Sequence, residues 1–180
     1  MSKPILLGIC GALRAASTNR LLLAEARMAF GPCTYRQANL RLPLFDEDLE
    51  IAKGIPAAVQ RLADQIKRAD AIVIATPEYN KALPGVLKNA LDWVSRTKGN
   101  PWRDKPVAIM SAAEGRAGGE RSQYSLRLCL NPFRAQVLPG PEVMISHSRQ
   151  AFSPDGQLTD PKSRAVVADL MAALRAMTPG

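Results

Sequence analysis

The strongest constraint on the fold lies in residues 5–20, ILLGICGALRAASTNR. An apolar run from Ile5 to Cys10 stops at Gly11 and gives way to a short polar loop carrying Arg14, Ser17, Thr18 and Asn19. Helical periodicity then begins at Leu21 and runs to Phe30. A buried strand, a turn and a helix N-terminus, in that order, form the unit from which α/β sheets are assembled. The same unit makes an anion site, because the first N–H groups of a helix have no intrahelical partner and lie at the positive end of its dipole. Arg14 adds a charge, and Ser17, Thr18 and Asn19 add side-chain donors. The stretch reads as a phosphate-binding loop. An ordinary strand–helix turn with Ser17 or Thr18 as N-cap is the competing reading.

The kind of phosphate is partly decided by what is missing. A Walker loop needs Lys followed by Ser or Thr at the helix start, and the stretch has no such pair. A dinucleotide fingerprint needs G-x-G-x-x-G and an acidic residue after the second strand. Here Gly8 and Gly11 stand three apart, and the later position reads Ala38-Asn39-Leu40-Arg41. A terminal monophosphate held by hydroxyls fits better.

The rest of the chain repeats the unit. Thr34 to Asn39 is a short strand suited to a sheet edge, and 40–49 is an irregular connection with Pro43 blocking helix. A helix is predicted from about Pro56 to Arg68, with Val59, Leu62, Ala63 and Ile66 on one face. The continuous runs Ala71 to Ala75 and Pro106 to Ala113 read as strands buried on both faces of a parallel sheet. Helices follow at about 84–96 and 120–130. A broken last strand is expected at 135–138 and 143–145, and a final helix carries Val166, Leu170, Ala173, Leu174 and Met177 on one side. This alternation predicts a doubly wound α/β fold: one domain over 1–180, a five-stranded parallel sheet in the order 2-1-3-4-5 with helices on both faces, and ligands at the carboxyl ends of the strands.

Bulk properties narrow the function classes. The formal charge of +8 invites a nucleic-acid reading, but the Lys and Arg residues are scattered and aromatic residues make up only 5%. The charge is read as solvated surface plus attraction for anionic substrates, with no nucleic-acid partner. No apolar run approaches bilayer length, and MSKPILLG lacks a cleavage site, so neither a membrane span nor a signal peptide is expected. Cys10, Cys33 and Cys129 have no metal spacing and are read as reduced thiols of a cytoplasmic protein. The acidic residues at 46–50 read as a surface turn, not a metal site. Lys88, Asn89 and Asp92 polarise a helix face, Trp93 packs, and the lone His147 lies away from the ligand loops.

Three loops meet at the predicted ligand edge: 11–20, 76–82 and 111–119. The first offers a phosphate cradle. The second has Pro77 to fix its shape and Glu78, Tyr79 and Asn80 for polar contacts. The third is Gly-rich and able to lie close to a flat ring. A heteroaromatic ring with a phosphate tail fits, and flavin mononucleotide (FMN) is the candidate.

The motifs at those loops resemble the NAD(P)H-dependent FMN reductases of flavodoxin-like fold, near the bacterial quinone and chromate reductase branch. The resemblance rests on GALRAASTNR (11–20), LPLFDEDLE (42–50), TPEYN (76–80), PGVLKNALDW (84–93) and GRAGGERSQYSLR (115–127). It implies non-covalent FMN, with the loop Gly11, Ala12, Arg14, Ser17, Thr18 and Asn19 around the phosphate. Pro77, Glu78, Tyr79 and Asn80 would border the isoalloxazine, with Ser111, Gly115 and Gly118 near the ring. The resembled family usually has Ser where this chain has Ala12, which removes one contact worth roughly 1 kcal/mol. The resemblance also implies a homodimer or homotetramer with Arg121, Tyr124 and Glu142 networked across an interface. The spacing of Arg121 and Tyr124 alone equally suits a solvated helix face.

The expected activity is hydride transfer from NADPH or NADH through FMN to a small-molecule electron acceptor: a flavin, quinone, azo compound, ferric chelate or chromate. Catalysis would lie in the cofactor, so no acid–base residue and no metal is assigned. The rival is a flavodoxin-type electron carrier without substrate reduction of its own. Such carriers are typically acidic, unlike this chain.

Overall fold

The computed structural model describes residues 3–178. Among them, six strand segments form one sheet: β1 (Ile5–Cys10), β2 (Thr34–Gln37), β3 (Ala71–Thr76), β4 (Pro106–Ala112), β5 (Gln136–Val137) and β6 (Val143–Ile145). All pairings are parallel, and the order is β2-β1-β3-β4-β5, with β6 also on β4. The fifth position is therefore shared. β5 pairs with the start of β4 and β6 with its end. Pro139 and Pro141 lie between them, and neither can donate a ladder bond, so the strand breaks there as the sequence predicts.

The helices are α1 (Thr18–Phe30), α2 (Glu47–Lys53), α3 (Ala57–Arg68), α4 (Gly85–Ser95), α5 (Glu120–Leu130) and α6 (Pro161–Ala176). Side-chain alternation along the strands sorts the core into two layers. Leu6, Ala71, Val73, Ala75, Ala108 and Ala112 face α1 and α6, whereas Leu7, Ile9, Ile72, Ile74 and Ile109 face α3, α4 and α5. The residues facing α1 and α6 are mostly small, which lets those two helices seat close to the sheet. All six residues of β3 are buried, the pattern expected of a central parallel strand. Truncating its Ile74 to Ala would cost about 2–5 kcal/mol.

Three expectations need correction. The acidic stretch is not a bare turn. Asp46 accepts from the Asp48 N–H and caps α2, a helix that buries none of its residues and so shows no apolar period. Asn89 does not polarise a solvated face. It is buried, accepts from the Phe45 N–H and donates to the Pro43 carbonyl, and Trp93 Nε1 donates to that same carbonyl. The 42–46 segment is thereby strapped onto α4. On α6 the buried stripe is Val167, Leu170, Met171 and Leu174, with Met177 39% exposed, because the helix turns by one position relative to the periodicity read from sequence.

Candidate functional site

The carboxyl ends of β1, β3 and β4 converge at the point where β2 and β3 diverge to opposite sides of β1, the switch point at which α/β sheets leave a crevice. The Gly11 N–H donates to the Ala75 carbonyl at 2.8 Å, and a Cβ on Gly11 would lie 3.1–3.3 Å from Thr76 and Pro77. The first two loops are therefore in contact.

Ser17 is the N-cap of α1, its hydroxyl accepting from the Asn19 N–H at 3.3 Å. The capping alternative is thus realised, and it is compatible with an anion site. Among the described residues the backbone N–H groups of Ala15, Ala16 and Thr18 find no acceptor. Arg14 is exposed beside them. Two arginines read from the sequence as solvated charge hold the loop's carbonyls instead: Arg20 Nε donates to the Arg14 carbonyl at 3.1 Å, and Arg41 Nη2 to that of Leu13 at 3.3 Å. With its carbonyls turned to these guanidiniums, the loop presents donors to the crevice. Beneath it burial raises the Cys10 thiol, leaving an inert neutral group.

Asn19 takes a different place from the one the resemblance implies. It is 1% exposed, its amide donates to the Ala112 carbonyl at 2.8 Å, and its Oδ1 accepts from the Ala112 N–H at 3.0 Å. Ala12 is also buried, packed into the layer beneath α1. From the opposite face Gln123 Nε2 donates to Ser111 Oγ and to the Val143 carbonyl, both at 2.8 Å. Two buried side-chain amides thus clamp the end of β4, one from each side of the sheet.

In the second loop Tyr79 and Ala82 exchange two backbone bonds of 3.1 Å around Asn80 and Lys81, whose φ angles of 49° and 68° make a tight two-residue turn. Tyr79 and Asn80 are exposed at its tip and Pro77 is buried. The Glu78 carboxylate accepts from the Arg121 N–H at 3.1 Å, capping α5, whose own N-cap Gly119 has no side chain to do so. In the third loop Ser111 is fully buried and donates to the Gly118 carbonyl at 2.6 Å, so its hydroxyl is used internally. Gly118 is required by packing. Its φ is 60°, and a Cβ would lie 2.6 Å from the Met144 backbone. Gly115 is open, with nothing within 4 Å. A cleft of about 580 Å3 runs between the second and third loops, lined by Glu78, Lys81 and residues 113–121.

Further residues belong to this edge. The segment after β6 packs against the third loop: Ser148 N–H donates to the Ala113 carbonyl and Arg149 N–H to the Glu114 carboxylate. His147, expected far from the loops, sits in this segment, exposed with φ 47°. Thr76 and Ser122, which lie in the quoted motifs but carry no role in the sequence reading, stand side by side under the second loop. Ser122 was legible in one respect: it precedes Leu126 and Leu130 on the inner stripe of α5, a polar residue at a core position. Tyr124 Oη donates to Glu142 at 3.3 Å within the chain, and that carboxylate's charge raises the phenol.

These features suit FMN. Free N–H groups and Arg14 at a helix start match a terminal phosphate, and the cleft between the second and third loops, at the same edge of the sheet, has room for a flat ring. Comparison with known proteins agrees. The NADPH-dependent FMN reductase family matches over residues 4–150. An NAD(P)H-dependent FMN reductase of Pseudomonas aeruginosa, PA1204, is 44% identical over 171 residues, covering 94% of this chain and 92% of that protein. The quinone reductase of Escherichia coli is 48% identical over 103 residues, 57% of this chain and 55% of that one. The flavoenzyme NAD(P)H:(acceptor) oxidoreductase FerB of Paracoccus denitrificans superposes with a TM-score of 0.86 at 30% identity, covering 97% and 96% of the two chains. The chain belongs to the NADPH-dependent FMN reductase family.

Proposed function

We propose that this protein is an FMN-dependent oxidoreductase that takes reducing equivalents from NADPH or NADH and delivers them to a small acceptor of the quinone or flavin kind. Azo compounds, ferric chelates and chromate belong to the same acceptor range. The observation that carries this reading is the set of unpaired N–H groups at Ala15, Ala16 and Thr18, with Arg14 beside them, opening onto the edge that holds the 580 Å3 cleft. The relative from Pseudomonas aeruginosa, alike over 94% of this chain, supports it.

When bound here, FMN would supply the hydride and electron-transfer chemistry that no side chain of this protein offers. The protein's part is to bind, orient and tune. Arg14, the hydroxyls of Ser17 and Thr18 and the N–H groups of Ala15, Ala16 and Thr18 would hold the phosphate by charge-assisted bonds at the positive end of α1, with Gly11 and Ala12 setting the turn that leads to them. Pro77, Glu78, Tyr79 and Asn80 border the ring, with Gly115 leaving one rim open to a second substrate. Asn19, Ser111 and Gly118 act one step back, fixing the loops that make these contacts. No side chain is assigned a proton-transfer role.

The protein is proposed to be cytoplasmic, and no helix among the described residues is long and apolar enough to cross a membrane. A homodimer or homotetramer joined through Arg121, Tyr124 and Glu142 is proposed from the family resemblance. FMN-loaded protein mixed with NADPH or NADH and a soluble quinone tests the activity. Catalytic quinone reduction is the expected result. FMN binding without turnover would favour the electron-carrier reading, and failure to bind FMN would remove both.

A further inference from the structure

We infer that Thr76 and Ser122 are positioning residues that turn the Pro77–Glu78 peptide so that its N–H faces the cleft as a donor to the flavin ring. This rests on the FMN reading above and assigns a task to two residues it leaves unused. Both side chains are fully buried, one at the end of β3 and the other in the first turn of α5. Their hydroxyl oxygens stand 3.0 Å apart, and the Pro77 carbonyl lies 3.0 Å from Thr76 Oγ1 and 2.8 Å from Ser122 Oγ. Whichever way the two hydroxyl hydrogens are shared, at least one is given to that carbonyl, which is held pointing inward.

The consequence follows from peptide geometry. The Pro77–Glu78 bond is trans, since the cis bond among the described residues is Gly140–Pro141. In a planar trans unit the N–H points opposite to the C=O. With the Pro77 oxygen held against Ser122, the Glu78 N–H is directed away from α5, and it has no acceptor among the described residues. The next N–H, of Tyr79, is already used on the Ala82 carbonyl. The Glu78 side chain does not cover its own amide either, because its carboxylate is drawn back to the Arg121 N–H. Glu78 is therefore held twice by the start of α5, once through the preceding carbonyl and once through its carboxylate. What remains free at this residue is one donor on the cleft wall. A fixed donor there favours the electron-rich reduced ring over the oxidised one, because it is aimed in advance at where charge develops.

The test is the two-electron midpoint potential of bound FMN, read spectrophotometrically, in wild type, Ser122→Ala, Thr76→Val, Thr76→Ser and the Ser122→Ala, Thr76→Val double variant. Thr76→Ser keeps the hydroxyl and should match wild type. The double variant frees the carbonyl and should lose about tenfold of the preference for reduced over oxidised flavin, a fall of about 30 mV. Should the double variant not fold, Ser122→Ala alone should show a fall of about threefold in that preference. In parallel, the Glu78 amide resonance should shift when FMN is added to wild type and not to the double variant, which alone frees the Pro77 carbonyl from both hydroxyls. Folded variants that bind FMN at the wild-type potential, with an unchanged Glu78 shift, would overturn the assignment. Wild-type protein that binds no FMN would instead overturn the cofactor reading, and this inference with it.

Discussion

Replacing Asn19 by Ala separates two roles that the sequence leaves entangled. The family resemblance places Asn19 on the phosphate, whereas the geometry commits it to Ala112, 93 residues away, through bonds of 2.8 and 3.0 Å. Truncation strands the N–H and C=O of Ala112, which is 1% exposed and has no water to turn to. A buried group left unpaired costs about 1–3 kcal/mol, so two cost about 2–6 kcal/mol, and the better helix propensity of Ala returns roughly half a kcal/mol. The expected loss is about 2–5 kcal/mol, a large share of a typical stability of about 5–15 kcal/mol. For a chain of this size that lowers the melting temperature by roughly 4–20 °C. Thermal or urea unfolding of the FMN-free protein reads this directly, and fluorescence titration gives the FMN affinity of the folded fraction. An apo-protein as stable as wild type, but with FMN binding abolished, would refute the reasoning and return Asn19 to the phosphate.

Gly118→Ala should destabilise the fold and weaken FMN binding, since its Cβ would fall 2.6 Å from the Met144 backbone at a φ of 60°, whereas Gly115→Ala, with nothing within 4 Å, should melt like wild type; equal melting temperatures for the pair would count against this contrast. Burial pushes the Tyr35 phenol up to about 12 from an unfolded value near 10. The folded state then binds more protons than the unfolded one between those values, so stability is intact below about pH 10 and falls as pH rises toward 12, by about 1–2 kcal/mol once partial exposure is allowed for. Tyr35→Phe should flatten that part of a urea-midpoint profile, and an unchanged slope would assign it to other groups. Glu142→Ala removes the acceptor of Tyr124 Oη; sedimentation velocity should show smaller oligomers of folded, FMN-binding subunits, and an unchanged distribution would leave the pair as an exposed contact within one chain.

Period and punctuation were legible in the chain, and partnership across distance was not. β3 and β4 announce themselves because a strand covered on both faces has no reason to alternate, and their loops follow at Pro77 and Ala113. The strand order needed only the chain-order rule for doubly wound sheets. α2 escaped because its seven residues bury nothing, although Asp46 before three acidic first-turn residues and Gly54 after Lys53 were sound start and stop signals. Ser111 and Gly118 are placed near the ring by the family resemblance. What they do is decided by Gln123, Met144 and each other, none of which local spacing reveals. His147 was misplaced for the same reason: the break at Pro139 and Pro141 brings the segment after β6 back onto the end of β4.

The family resemblance implies a serine where this chain has Ala12, and the burial of Ala12 turns that difference into a measurable cycle. At 4% exposure its methyl packs in the layer with Leu22 and Ala26. A serine there would bury a hydroxyl in the FMN-free protein, at a cost of about 1–3 kcal/mol if nothing pairs with it. If the hydroxyl faces the loop mouth, a bound phosphate satisfies it and the cost disappears in the complex. The same free energy must then appear as tighter binding, about tenfold for each 1.4 kcal/mol. Ala12→Ser should therefore lower the melting temperature of the apo-protein, leave that of the FMN-loaded protein near wild type, and reduce the dissociation constant by about the matching factor. If apo and loaded forms lose stability equally and the affinity does not change, the hydroxyl points into the apolar layer. The missing serine would then have no bearing on how firmly this chain holds its flavin.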